Sequence, residues 1–111
     1  MSFVGCKAAD FRSVDAETFA QVIEDTTVVR LDVRTANEYT QGHIPNALLI
    51  DVTQADFMQK AEQLLPKDNT IALYCRSGRR SKKAAMQLAQ HGYQVVELST
   101  GFNSWKGEVE Q

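Results

Sequence analysis

The chain is expected to fold as an α/β domain, a mostly parallel sheet with helices on both faces, and three observations carry that expectation. Four apolar runs, 28–33, 47–50, 71–74 and 95–98, have strand length and β-branched or aliphatic content, with little of the apolar–polar alternation of a half-exposed strand. Segments with helical spacing and capping residues separate them, and regular alternation of strand and helix is most economically arranged around a parallel sheet. At 111 residues and 43% hydrophobic content, the chain can bury roughly two thirds of its unfolded surface as one domain, expected over residues 1–111.

Taken in order, residues 1–10 are expected to form a loose arm. Asp15 can cap a first helix whose Phe19, Val22 and Ile23 share a face. After the run 28–33, Thr35 and Glu38 have capping-box spacing and open a short helix ending near Gly42. Beyond 47–50, Thr53 and Asp56 repeat the spacing before Met58, Ala61, Leu64 and Leu65, and Pro66 ends that helix. A last helix is expected from Ser81 to His91, with Ala84, Ala85, Leu88 and Ala89 inward and Gly92 just past its end.

The formal charge of −2 argues against a general nucleic-acid binder or an anionic-membrane binder, either of which needs a broad basic face. No apolar stretch has the length of a membrane span, and the first residues lack the order of a secretory signal, so a cytoplasmic monomer is expected. In that setting the two cysteines are expected to be free thiols, with Cys6 an incidental residue of the arm.

The positive charge is concentrated. Cys75-Arg76-Ser77-Gly78-Arg79-Arg80 lies directly between the apolar run 71–74 and the last helix. In parallel sheets, ligands collect beyond the carboxyl ends of the strands, where helix N-termini point, and Cys75 falls there. A cysteine attacks as its thiolate, which cations and amide donors favour. One guanidinium about 5 Å away at an effective dielectric near 20 stabilises a thiolate by roughly 3 kcal/mol, about two pKa units. Gly78 permits the left-handed backbone that turns successive N–H groups toward one centre. Three arginines at a helix N-terminus are unfavourable on their own and call for an anionic ligand. Cys75 is therefore the candidate nucleophile, with Arg76, Ser77, Gly78, Arg79 and Arg80 as candidate substrate-binding residues; the bland alternative is a small buried hydrophobe beside a solvated helix start. The functional reading requires a sulfur that is not sealed in the interior.

Other polar residues read more simply. Arg34 and Glu38 are four apart and can pair, while Asp32 can bond to nearby backbone donors. His43 has no partner at a metal-ligand spacing and reads as a scaffold histidine; His91 suits a helix C-terminus. Tyr93, Phe102 and Trp105 read as core or rim aromatics. No metal and no resident cofactor are expected.

The cysteine loop, with Leu31-Asp32-Val33-Arg34, Glu38-Tyr39, Gly42-His43-Ile44-Pro45 and Gly101-Phe102-Asn103-Ser104-Trp105, resembles the single-domain rhodaneses, thiosulfate sulfurtransferases, from about Phe11 to Trp105. The resemblance implies a five-stranded sheet and a two-step reaction. The Cys75 thiolate takes the outer sulfur of thiosulfate as a persulfide, then passes it to cyanide, a small thiol or a protein cysteine. It also implies that the loop cations favour thiosulfate over a monocarboxylate donor. Two positions depart from the family pattern: Asn46 replaces a glycine after His-Ile-Pro, and Thr100 replaces the first of a glycine pair. Alternatives are a persulfide relay or docking module serving a partner protein, and a cysteine phosphatase or arsenate reductase. The phosphatase pattern needs an arginine six positions after the cysteine, where this chain has Ser81.

Overall fold

The computed structural model describes residues 10–111; Cys6 and nearly all of the expected arm lie outside them. Five strands form one sheet in the order β1-β5-β4-β2-β3, with every neighbouring pair parallel. These are β1 (Arg12–Val14), β2 (Val29–Asp32), β3 (Leu48–Leu49), β4 (Ile71–Tyr74) and β5 (Val95–Leu98). The α/β expectation holds, and β2 to β5 coincide with the four apolar runs. Strand β1 has no apolar signature because it is an edge strand of three residues, with Arg12 and Ser13 exposed. It belongs to the sheet only through its register with β5, Arg12 opposite Val96 and Val14 opposite Leu98.

Side chains alternate across β4 and so build two cores. Ile71, Leu73 and, in phase with them, Cys75 join Leu31, Val33 and Val95 beneath helices α3 (Phe57–Leu64) and α4 (Arg79–Gln90). Ala72 and Tyr74 face the other way, joining Val96, Leu98, Ile44 and Phe19 of helix α1 (Ala16–Val22), with Phe102 and Trp105 along the margin. No described helix is long and apolar enough to cross a membrane.

The helix ends test the capping signals individually. Asp15 caps α1 through the Thr18 amide at 2.8 Å, and Thr35 with Glu38 forms a reciprocal capping box on α2 (Ala36–Gln41). Thr53 and Asp56 form no such box. Asp51 takes both the amide and the hydroxyl of Thr53, at 2.9 and 2.7 Å, and α3 starts at Phe57 without a side-chain cap. That helix does stop where expected: Leu65 is extended, as a residue before proline prefers. Helix α4 begins two residues before Ser81, because Gly78 at φ 100° redirects the chain straight into its first turn. It ends in a Schellman motif, with the Tyr93 amide on Leu88 O and Gly92, at φ 92°, on Ala89 O. Asn46 occupies the left-handed region at φ 67°, as its tolerance of that conformation allows.

Candidate active site

Strand β4 delivers Cys75 to the carboxyl edge of the sheet, and the turn 76–78 carries the chain into α4. Two further segments pin that turn. Phe102 N–H donates to Cys75 O at 2.8 Å and Asn103 N–H to Arg76 O at 3.0 Å, tying it to the 3-10 turn Phe102–Ser104. Gly78 packs so closely on the residue that follows β5 that a Cβ there would overlap the Ser99 carbonyl. Its amide points inward and donates to Cys75 Sγ at 3.1 Å.

The sulfur is less accessible than the functional reading requires: Cys75 has 0% exposure. The cause is strand phase, because a side chain aligned with Ile71 and Leu73 projects under the first turn of α4. In the turn that follows it, Arg76 and Ser77 are exposed. Burial pushes the thiol toward its neutral form, and this is the largest single influence. It is outweighed by the Ser81 hydroxyl and the amides of Ser81, Gly78 and Ser77, so the pKa lies below the ordinary cysteine value.

The arginines act differently from expectation. Glu38 reaches across from α2 and receives Arg80 in a bidentate pair, 2.8 Å to Oε1 and 2.9 Å to Oε2, while Arg76 Nε lies 3.2 Å from Oε2. Arg80 still feels the charge on the sulfur, but hydrogen-bond donors rather than guanidinium groups are the main stabilisers of the thiolate. Glu38 also supplies the negative charge that arginines at a helix N-terminus call for, a need that sequence reasoning had assigned to a ligand. Arg79 is exposed and makes no ion pair among the described residues. Of the candidate binding residues, the structure therefore gathers the backbone of Ser77 and Gly78 at the sulfur, places Arg80 beside it, and turns Arg76 and Arg79 outward.

Arg34 does not pair with Glu38. It folds back on Asp32, with Nη2 2.7 Å from Oδ2, bonds Gly42 O, and lies 4.4 Å from the Phe102 ring centroid. The pair is buried and structural, and its Arg34 lines a cleft of about 210 Å³ with Glu38, Gln41, Gly42, Arg76 and Phe102. A larger cavity, about 760 Å³, opens at the opposite ends of the strands among Phe11, Thr70 and Gln94, far from the thiol. His43 is a scaffold residue, its Nδ1 on Tyr39 O at 2.8 Å and its ring stacked on Tyr39. Tyr93 donates to Leu65 O at 3.0 Å, and Trp105 packs edge-on against Phe19.

Sequence reasoning missed the site's polar partners of the thiol. Ser81 is buried against it, and Glu97, buried on β5, accepts the Ser81 hydroxyl at 2.5 Å. The available signal was Glu97 itself, a lone acid inside the apolar run 95–98.

A buried thiol at the carboxyl end of a central parallel strand, with the amide of the following turn on its sulfur, is the focus of this α/β domain. Residues 15–108 match the rhodanese-like domain, and the chain belongs to that family. It is 37% identical over 94 residues to a sulfurtransferase of Allochromatium vinosum, covering 83% of this chain and 85% of that protein. It is 29% identical to a thiosulfate sulfurtransferase of Coxiella burnetii over 78% of each chain. A tRNA uridine(34) hydroxylase of Leptospira interrogans is 36% identical over 104 residues, 90% of this chain but 28% of that longer protein. The crystal structure of a rhodanese-related protein from Thermoplasma volcanium superposes with a TM-score of 0.78 at 28% identity, covering 90% of this chain and 98% of that one. The rhodanese resemblance and its five-stranded sheet are thus borne out, and the sulfurtransferase relatives support sulfur transfer in general.

Proposed function

We propose that this protein is a thiosulfate sulfurtransferase acting through a persulfide on Cys75. The observation that carries the reading is the Gly78 amide aimed at Cys75 Sγ at 3.1 Å, with the Ser77 and Ser81 amides adding to the lowering of the thiol's pKa. The thiolate attacks the outer sulfur of thiosulfate. A sulfur–sulfur bond forms to Cys75 as the bond inside thiosulfate breaks, and sulfite leaves with that electron pair. The persulfide is anionic, so the donors that lower the thiol's pKa also hold the intermediate. An acceptor such as cyanide, a small thiol or a protein cysteine then takes the outer sulfur and regenerates the thiolate. Handing the persulfide to a protein partner follows the same chemistry.

Arg79, exposed and unpaired among the described residues, and the outward-facing Arg76 supply positive charge for the dianionic donor at the mouth of the site. The named activity of the Coxiella relative favours thiosulfate as donor. Since Cys75 has no exposed surface, the donor reaches the sulfur when the turn 76–78 opens. A reducing, cytoplasmic setting keeps the thiol free.

Intact-protein mass spectrometry after incubation with thiosulfate tests the reading. One added sulfur atom is expected, lost in Cys75→Ala and retained in Cys6→Ala. Uptake confined to Cys6, or no uptake, overturns it.

A further inference from the structure

Five of the chain's 12 Lys and Arg residues, Arg76, Arg79, Arg80, Lys82 and Lys83, fall within 76–83, and no Asp or Glu occurs between Asp68 and Glu97. Helix α4 therefore opens with four cations and no acid, at the end where the helix dipole disfavours positive charge, and Arg79 and Lys83, four apart, also repel each other. The fold relieves part of this load. Glu38 receives Arg80 and Arg76, and Lys82 Nζ lies 3.1 Å from the carbonyl oxygens of Gly78 and Ser99 and 3.3 Å from Glu97 Oε1. Arg79 and Lys83 are exposed and make no ion pair among the described residues. Further along the helix, Met86 is 39% exposed. Residues 79, 83 and 86 share one helix face, so the three side chains form a stripe about 10 Å long that starts at the turn following Cys75. The rest of the chain has the opposite sign: outside 76–83, seven Lys and Arg stand against 14 Asp and Glu. An anionic macromolecule is therefore repelled by the charge of the rest of the molecule and steered to this face, beside the thiol.

We propose that the Arg79–Lys83–Met86 face of α4 is a docking surface for an acidic protein that receives the sulfur held on Cys75. The inference rests on the persulfide reading and names the acceptor. In the hand-off, a cysteine thiolate of the partner attacks the outer persulfide sulfur. A sulfur–sulfur bond forms to the partner as the bond between that sulfur and Cys75 breaks, and Cys75 leaves with the electron pair as its thiolate. Cyanide or a small thiol is too short to reach from the turn to Met86, so the full stripe is of use only to a macromolecule. Met86 adds a deformable apolar contact of the kind found on protein-binding surfaces. Nucleic acid, the other anionic macromolecule, calls for cations over a broad face, and on α4 they stop at Lys83.

Fluorescence anisotropy tests the surface, with the full chain titrated at low salt into a labelled peptide whose glutamates flank a serine. Serine stands where the reacting cysteine would be, so binding is read without sulfur transfer. Binding is expected, weakened by added salt and weakened about tenfold by Lys83→Glu. Glutamate at 83 can pair with Arg79 one turn earlier, so the helix is retained. Lys67→Glu makes the same change of net charge beside Gly92, just past the other end of α4, and should leave the affinity unchanged. No binding, no loss in Lys83→Glu, equal losses in the two variants, or tighter binding of a single-stranded RNA overturns the proposal. The cysteine form of the peptide, offered to the Cys75 persulfide, should take sulfur faster than a lysine-flanked cysteine peptide, and Lys83→Glu should abolish the preference. Equal rates for the two peptides overturn the proposal while leaving the persulfide in place. If Cys75 takes up no sulfur, the proposed function falls, and the anisotropy still decides the docking surface.

Discussion

Replacing Glu38 by glutamine isolates the ion pairs that organise the cysteine loop. Glutamine keeps the capping box, because its carbonyl can still accept from Thr35 N, but it cannot receive Arg80 through two oxygens. The Arg76 contact, with that side chain 58% exposed, contributes little. The Arg80 pair is bidentate and better shielded, at 28% and 16% side-chain exposure, and is worth about 1–2 kcal/mol. Leaving Arg80 unpaired at the N-terminus of α4 adds about 0.5 kcal/mol through the helix dipole. The total, about 2 kcal/mol at pH 7, corresponds to a fall in Tm of about 10 °C. The sign of the pH dependence follows from the pairing, with Arg80 the largest cause: in the folded state Glu38 is held well below the usual carboxylate range. A depressed folded pKa contributes stability that is fully present above the unfolded value, about 4.3, and is lost as pH falls toward the folded one. At pH 3 the unfolded carboxyl is about 1.3 units below its pKa, which removes about 1.8 kcal/mol of the wild-type advantage. Urea unfolding of both proteins should therefore give midpoints that differ clearly at pH 7 and nearly coincide at pH 3. Equal separation at both pH values would show that packing, not charge, carries the effect and would refute the reasoning.

Gly78→Ala should destabilise the fold by about 2–4 kcal/mol in equilibrium unfolding, since its φ of 100° is strained for alanine and the new Cβ overlaps Ser99 O. Any folded fraction should titrate Cys75 at higher pH, because the Gly78 amide is displaced. Tyr74→Phe should lower unfolding free energy by about 1–3 kcal/mol, because the buried Ile44 amide loses the hydroxyl it reaches at 3.0 Å. In steady-state kinetics Arg79→Ala should raise the KM for thiosulfate several-fold with stability changed by less than about 0.5 kcal/mol; an unchanged KM would reduce Arg79 to a solubilising charge. Native-state alkylation of Cys75 should proceed at a rate independent of urea well below the unfolding midpoint, the signature of local opening of the turn 76–78. A rate that tracks global unfolding would mean that no donor reaches the sulfur in the folded protein.

Strands β2 to β5 were legible because each lies in a short apolar run, α1 and α2 because their N-caps are local, and α4 because Gly92 ends it locally. Strand β1 was not: an edge strand needs only one partner and no hydrophobic run, so Arg12-Ser13-Val14 looks like loop until β5 lies beside it. The box at Thr53 failed for a related reason. Spacing of threonine and acid permits a cap, but Asp51, two residues upstream, is the nearer partner and takes both Thr53 donors.

At the site, the sequence placed the candidate thiol and the turn where the structure has them, but assigned the lowering of its pKa to the arginines rather than to hydrogen-bond donors. Arg76, Arg79 and Arg80 are neighbours of Cys75 along the chain, and contiguity invited a direct charge effect. The arginine that stands beside the sulfur is shared with Glu38, a residue brought from α2 by the β2–β4 pairing, and a shared charge does less for a thiolate than a free one. What remains is directional. The Gly78 amide points at the sulfur, the Ser77 and Ser81 amides also help to lower the thiol's pKa, and none of them needs a counter-ion. A thiolate held by dipoles rather than by cations would suit the alternation between thiolate and persulfide proposed for Cys75. Both forms carry one negative charge at nearly the same place, and neither step requires an ion pair to break and reform.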